Sequence, residues 1–187
     1  MIVFEDKIML KRIISGGQTG ADQAGLYSAK QNGYETGGYA PQGFRTLSGD
    51  NPVILRDMFH LEETSQRNYQ FRTALNVKSS DATIRLATNF QSPGELCTMN
   101  AIRKYGKPFF DVELLKVSAK DDTSREAYIS SRVDEFIDFL IKNQVVILNV
   151  AGNADRIPAG GFGLHFNESL KFLNLVFKKI NVQKKTI

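Results

Sequence analysis

The sequence predicts an α/β fold, a doubly wound parallel sheet with helices on both faces. Three observations predict it. Short β-branched and apolar runs alternate along the chain with longer stretches of helical periodicity. The first run ends in a glycine-rich turn, Ser15-Gly16-Gly17-Gln18-Thr19-Gly20-Ala21-Asp22, that leads directly into a helical pattern. Polar, glycine-bearing loops follow Ser15, Ala87 and Val150, and parallel sheets of this kind gather such loops at the carboxyl ends of their strands.

Taken in order, Lys11 to Ser15 reads as a buried strand. Asp22 to Asn32 reads as a helix with Ala24, Leu26, Tyr27 and Ala29 available to pack, and Gly33 stands where a terminating glycine belongs. Tyr34 to Ala40 predicts a second strand running into a loop, Pro41 to Pro52. A helix follows from about Ser65 to Ser79, with Tyr69, Thr73, Asn76 and Val77 near one face. Asp81 to Ala87 is a third strand, Asn89 to Gly94 a loop, and Glu95 to Tyr105 a helix stopped by Gly106 and Pro108. Pro108 to Val112 is a fourth strand. Asp121 to Asn143 holds a long amphipathic helix through Ile129, Val133, Phe136, Ile137, Leu140 and Ile141. Val145 to Val150 is a fifth strand, Ala151-Gly152-Asn153 opens a loop, and a last helix runs from about Asn167 to Lys179, with Leu170, Leu173, Val176, Phe177 and Ile180 inward. Neither a Pro-rich linker nor a repeat divides the 187 residues, so one domain with a core over about residues 11–180 is expected.

Composition narrows the function classes. Hydrophobic residues make up 42% and charged residues 24%, which suits a folded soluble chain and argues against disorder. Runs such as Val145–Leu148 are too short to span a bilayer, and acidic residues occupy the start where a signal peptide needs positive charge. A cytoplasmic location is the expectation, and the single Cys97 fits a reducing compartment. Cys97 also rules out a multi-cysteine metal centre within one chain and reads as an inert buried thiol. His60 and His165 lie far apart with no partner at ligand spacing, so each reads as structural or exposed, no protein metal site is expected, and no Ser-His-Asp constellation is visible. The net charge of +4 is mild, and its dense cluster, Lys178-Lys179 and Lys184-Lys185, reads as a solvated helix end with a frayed terminus. It gives no reason to infer nucleic-acid binding.

The first loop carries the strongest functional signal. Gly16, Gly17 and Gly20 permit tight turning and close backbone approach, and the helix that follows points amide groups and its positive dipole end at the loop. Gln18 and Thr19 add neutral donors, while Asp22 could hold a ribose hydroxyl or simply cap the helix. The loop is neither a P-loop nor the dinucleotide Gly-x-Gly-x-x-Gly. The other reading of the same glycines is a plain strand-to-helix turn.

These residues resemble the molybdenum cofactor carrier protein family, within the wider LOG/DprA-like (SLOG) group of Rossmann-like domains. Gly38-Tyr39-Ala40-Pro41-Gln42-Gly43 resembles the family's second-strand loop, Tyr69, Arg72, Thr73 and Asn76-Val77 its helix motif, and Ser80-Asp81-Ala82-Thr83 the start of its third strand. Pro93-Gly94 through Thr98, then Gly106-Lys107-Pro108, resemble its second phosphate loop and the helix after it. Leu148-Asn149-Val150-Ala151-Gly152 resembles its last strand, and the likeness covers roughly residues 11–175. It implies a phosphorylated, nucleotide-like small molecule as ligand, with molybdenum cofactor or a nucleotide as the bound species, and a homo-oligomer, dimer or tetramer. It adds Gly38, Ser92, Gly94, Glu95, Thr98 and Gly152 to the ligand-contacting residues of the first loop. Arg72 and Arg45 become candidate phosphate clamps. Tyr69 is placed to stack on a base or pterin or to be core, and Asn76 and Asn149 to read a heterocycle edge or to satisfy backbone.

The chain departs from the family pattern at several points. Ala82 replaces a usual glycine, Glu95 stands where a small hydroxyl residue is expected, and Asn153-Ala154-Asp155-Arg156 differs from the usual Pro-Arg, although Pro158 remains. In LOG-type phosphoribohydrolases a glutamate follows the second loop, and aligned on Gly94 it falls on Thr98. No catalytic residue is therefore assigned, and a binder is expected over an enzyme. Two alternatives stand beside a carrier: sequestering or sensing a nucleotide second messenger, as in viral counter-defence, and N-glycoside hydrolysis using Glu95 or Asp22. The strongly apolar last helix and the Phe136–Leu140 segment serve either as core or as interface.

Overall fold

The computed structural model describes residues 7–156 and 162–186; Pro158 and the first six residues lie outside them. In chain order the strands are β1 (Arg12–Ser15), β2 (Glu35–Gly37), β3 (Tyr39–Ala40), β4 (Arg45–Thr46), β5 (Gly49–Asp50), β6 (Glu62–Glu63), β7 (Ala82–Ala87), β8 (Phe109–Glu113) and β9 (Ile147–Gly152). The helices are α1 (Ala21–Gln31), α2 (Tyr69–Lys78), α3 (Pro93–Tyr105), α4 (Leu114–Val117), α5 (Asp122–Lys142) and α6 (Leu164–Thr186), and a π-helical turn spans Val53–Met58. Five strands form one parallel sheet in the order β2-β1-β9-β7-β8, so the last strand of the chain lies at its centre.

Strand alternation gives this sheet two unlike faces. Ile13, Ile84, Leu86, Leu148 and Val150 join a large apolar cluster with Phe136 and Leu140 of α5 and Phe172, Val176, Phe177 and Ile180 of α6. Thr83, Arg85 and Asn149 point to the opposite face, where α3 covers them, because Arg85 pairs with Glu95 of that helix. One face is thus an ordinary core. The other is polar yet buried, with Thr83 and Arg85 at most 4% exposed.

The differences from the sequence reading have identifiable causes. The second strand breaks at Gly38, whose φ of +118° a side chain would not tolerate. Its continuation, β3, leaves the main sheet to pair with β6, and the Asn76 amide accepts from Tyr39 N and donates to Tyr39 O, both at 2.9 Å. The loop after it holds the β4–β5 hairpin and then the π-helical turn, which plants Leu55 and Phe59 in a second apolar cluster with Leu26, Ala40, Phe44 and Leu61. The fifth strand starts at Ile147 because an Asp81 carboxylate oxygen accepts from the amides of Val146 and Ile147. It extends through Gly152, where a β-carbon would stand 2.0 Å from the Leu86 carbonyl oxygen. Helix α6 begins before and ends well after its expected range. Lys184 does not fray: its Nζ donates to the Leu10 carbonyl at 2.8 Å and sits over the Tyr34 ring. Phe136, Ile137 and Leu140 are at most 3% exposed and belong to the chain's own core. Among the described residues no helix is long and apolar enough to cross a membrane.

Candidate functional site

The loop between β1 and α1 is held from two sides. A β-carbon on Gly16 would lie 1.6 Å from Arg72 Nη1, so the guanidinium rests against bare backbone. Arg72 Nη1 donates to Asp22 Oδ2 at 3.0 Å, and both side chains are almost wholly buried. Gly17 and Gly20 have φ of +72° and +92°, the first against Leu55 and Leu61 and the second against the Asn153 carbonyl. Much of the amide array expected to face a ligand is committed within the protein. Gln18 N donates to Asp22 Oδ2, Thr19 N donates to Gln18 Oε1, and Ala21 N donates to the Asn153 carbonyl. Gln18 Oε1 also accepts from Leu47 N at 2.8 Å, and Thr19 Oγ1 donates to the Asp155 carbonyl at 2.7 Å. Gln18 and Thr19 therefore tie the loop to its neighbours.

Beside the loop, on the polar face of the sheet, is a buried charge cluster. Glu95 is 1% exposed, and its Oε2 lies 3.7 Å from Arg85 Nη1, an ion pair too long for a hydrogen bond. Arg85 is engaged elsewhere: Nε and Nη2 donate to the two Asp111 oxygens at 2.9 and 2.5 Å, with the Phe90 and Phe109 rings flanking the guanidinium. Burial pushes the Glu95 carboxyl up to about 7, the Arg85 charge opposes the rise, and the Asp22 and Asp111 charges add to it. Burial likewise raises the Asp22 carboxyl, opposed chiefly by Arg72. Three buried polar atoms here lack a hydrogen-bond partner: Arg72 Nε, Glu95 Oε2 and Tyr69 Oη. The Tyr69 ring lies within 5.8 Å of the Arg72 guanidinium and 5.5 Å of the Arg45 guanidinium, the latter exposed.

The remaining candidates divide. Ser92 caps α3 through Glu95 N and accepts from Asn153 Nδ2, and Gly94 in the first turn of α3 faces open space. Thr98, 5% exposed, donates back to the Gly94 carbonyl. Asn149 donates to Thr83 Oγ1 at 3.2 Å within the sheet. Asn76 and Gly38 are occupied with each other and with Tyr39, so Asn76 satisfies backbone. Gly152 allows β9, β7 and α1 to approach closely. Cys97 is half-buried and burial raises its thiol, in keeping with an inert group.

Sequence reasoning missed two features. Arg85 and Asp111 pair on the polar face, and the signal was present, an arginine inside an otherwise uncharged six-residue strand. The second concerns His165, read from sequence as structural or exposed: its Nδ1 lies 2.9 Å from Asp155 Oδ1, and Nε2 lies 3.0 Å from Thr88 Oγ1. A hydroxyl–imidazole–carboxylate chain is therefore present, built from Thr88 and not from a serine. No sequence spacing announced it, because the fold joins residues 77 positions apart.

Among curated proteins none matches this sequence. Among solved structures, the chain is similar to a putative molybdenum carrier protein from Syntrophus aciditrophicus SB, with 27% identity and a TM-score of 0.74 over 91% of this chain and 96% of that one. The sequence pattern of the Circularly permutated YpsA SLOG family matches residues 13–157. The topology carries the mark of that permutation. Numbered by appearance, the main sheet runs 2-1-5-3-4; moving its last strand to the front would make it 3-2-1-4-5, the order of doubly wound nucleotide-binding sheets. On the sequence match and on the central place of its last strand, the chain belongs to the Circularly permutated YpsA SLOG family.

Proposed function

We propose that the protein binds a phosphorylated, nucleotide-like small molecule at the carboxyl edge of the sheet, beside the Gly16–Asp22 loop and the first turn of α3. One observation carries this reading. Arg72 Nε, Glu95 Oε2 and Tyr69 Oη are buried without hydrogen-bond partners in one neighbourhood. Each such group costs about 1–3 kcal/mol when left unmade, and a ligand offering both acceptors and donors would supply what they lack. Because several loop amides are already engaged, the anionic end of the ligand falls to Arg72, Arg45 and the open first turn at Gly94. Tyr69 offers a ring face to a base or pterin. Molybdenum cofactor is the first candidate, after the family resemblance and the putative molybdenum carrier protein from Syntrophus aciditrophicus SB; a nucleotide messenger held out of circulation is the second. Protein purified from a cofactor-making host and heated should release a pterin together with molybdenum. Release of neither overturns the carrier reading, and release of a nucleotide instead supports sequestration.

A second reading rests on Glu95. A carboxyl titrating at about 7 beside the buried Asp22 carboxylate is the kind of pair that general acid–base catalysis uses, so cleavage of a nucleotide N-glycosidic bond regains support that the Thr98 substitution had removed. Incubation with the nucleoside monophosphates tests it. Free base that accumulates with the natural chain and not with Glu95→Gln supports hydrolysis, and no free base from any of them rejects it.

A further inference from the structure

We propose that Thr88, His165 and Asp155 form a second functional centre, in which Thr88 is a nucleophile toward uncharged, activated acyl esters. The three residues come from separate parts of the fold: Thr88 follows β7, Asp155 follows β9, and His165 lies in the first turn of α6. Asp155 Oδ1 accepts from the His165 imidazole at Nδ1, 2.9 Å away, which leaves Nε2 bare as an acceptor. Thr88 Oγ1 stands 3.0 Å from Nε2. Its alternative acceptor, Asn153 Oδ1, is farther at 3.2 Å and already accepts the amides of Thr88 and Asn89. The hydroxyl proton is thus directed at the imidazole, the arrangement that activates a hydroxyl for attack.

A purely structural role does not account for the whole chain. Asp155 caps α6 through the backbone amides of His165 and Phe166, and that cap is complete without an imidazole. The ring is held by the same carboxylate at one nitrogen and meets a hydroxyl at the other. Asp155 is 6% exposed, whereas the His165 side chain is 20% exposed and Thr88 is only partly covered, so the carboxylate is the most buried member of the three. The surroundings select the substrate class. The side chains bonded to Thr88 and its neighbours are the neutral Asn89, Ser92 and Asn153, and among the described residues no Lys or Arg side chain hydrogen-bonds to Thr88, His165 or Asp155. A phosphoryl dianion would find no counter-charge there, whereas an acyl carbonyl needs none.

The step balances with water as the final acceptor. Thr88 Oγ1 bonds the acyl carbon while its proton passes to His165 Nε2. The bond to the leaving alkoxide or phenoxide breaks, and that oxygen takes the proton. Water then gives a proton to Nε2 and bonds the acyl carbon, the bond from that carbon to Thr88 Oγ1 breaks, and the Nε2 proton passes to Oγ1, which releases the carboxylic acid and restores the hydroxyl.

The test is acetylation of the full chain by p-nitrophenyl acetate, followed by acid quenching and tandem mass spectrometry of the adduct. The expected result is a stoichiometric burst of nitrophenolate with acetyl on Thr88. Thr88→Val, which keeps the side-chain shape, should abolish the burst, and Thr88→Ser should retain it. His165→Gln should slow acylation by roughly 100-fold or more. If that variant does not fold, the contrast of Val with Ser at position 88 decides. The positioning role of Asp155 has a separate readout: nitrogen NMR of a chain with two histidines should show His165 protonated at Nδ1, and Asp155→Asn should move that proton to Nε2. Acetyl only on lysines or Cys97, or Thr88→Val and Thr88→Ser behaving alike, overturns the proposal.

Discussion

Arg72 lies flat on Gly16: the guanidinium occupies the space a β-carbon would need, 1.6 Å from where it would stand. The contact fixes the direction of the arginine and seats it on Asp22. Gly16→Ala should push the guanidinium away and leave the buried Asp22 carboxylate without its main counter-charge. The expected loss is on the order of 3 kcal/mol, because removing one partner of a buried pair strands the other. Urea unfolding measures it, and a midpoint unchanged from the natural chain would reject the packing argument.

Arg72→Lys keeps the charge and gives up the planar fork. The variant should purify with at least several-fold less of whatever small molecule the natural chain carries, at a comparable melting temperature. Equal cargo per folded molecule would remove Arg72 from the binding site.

Glu95 makes stability depend on pH in a definite direction. Its folded value is pushed up to about 7 from an ordinary 4.5, so the folded chain holds the proton more tightly than the unfolded one. The contribution is therefore fully present below pH 4.5, falls as pH rises, and is lost above about 7. Over that window the group costs on the order of 3 kcal/mol. Glu95→Gln should match the natural chain near pH 4 and exceed it in stability at pH 8. A Gln variant with no advantage at pH 8 would show that the carboxyl ionises there without penalty.

Asn76 is expected to behave in the opposite way to Arg72. Both ends of its amide are spent on the Tyr39 backbone. Asn76→Ala should destabilise by about 1–3 kcal/mol through the stranded amide and carbonyl, with cargo per folded molecule unaltered. Cargo lost out of proportion to stability would return Asn76 to the ligand.

The elements legible in the sequence were those with strong periodicity or a glycine stop. α1 and α3 were placed within two residues, and α5 followed from its three-and-four spacing. What stayed hidden depended on distant partners. The break at Gly38 needs Asn76 to hold Tyr39, and the start of the fifth strand needs Asp81. In the candidate site, Gly16, Asp22, Tyr69, Arg72 and Glu95, which the structure brings near one another, could be named because motif residues carried them. The inward turn of Glu95 could not, since it depends on Arg85 on the strand beneath. The meeting of Thr88 with His165 depends on how β7 and α6 come together in space, which no window of sequence encodes.

The central position of β9 has a consequence for how the chain is made. A ribosome delivers β1 with β2, and β7 with β8, well before the strand that joins them. Until residue 152 emerges, the inner edges of β1 and β7 have no β9 to pair with. Such edges invite wrong partners, and the pairing that closes them links residues more than a hundred positions apart on one side. Long-range closure of this kind is slow. Synthesis of this protein therefore contains an exposed interval that an unpermuted relative, with its central strand made first, would avoid.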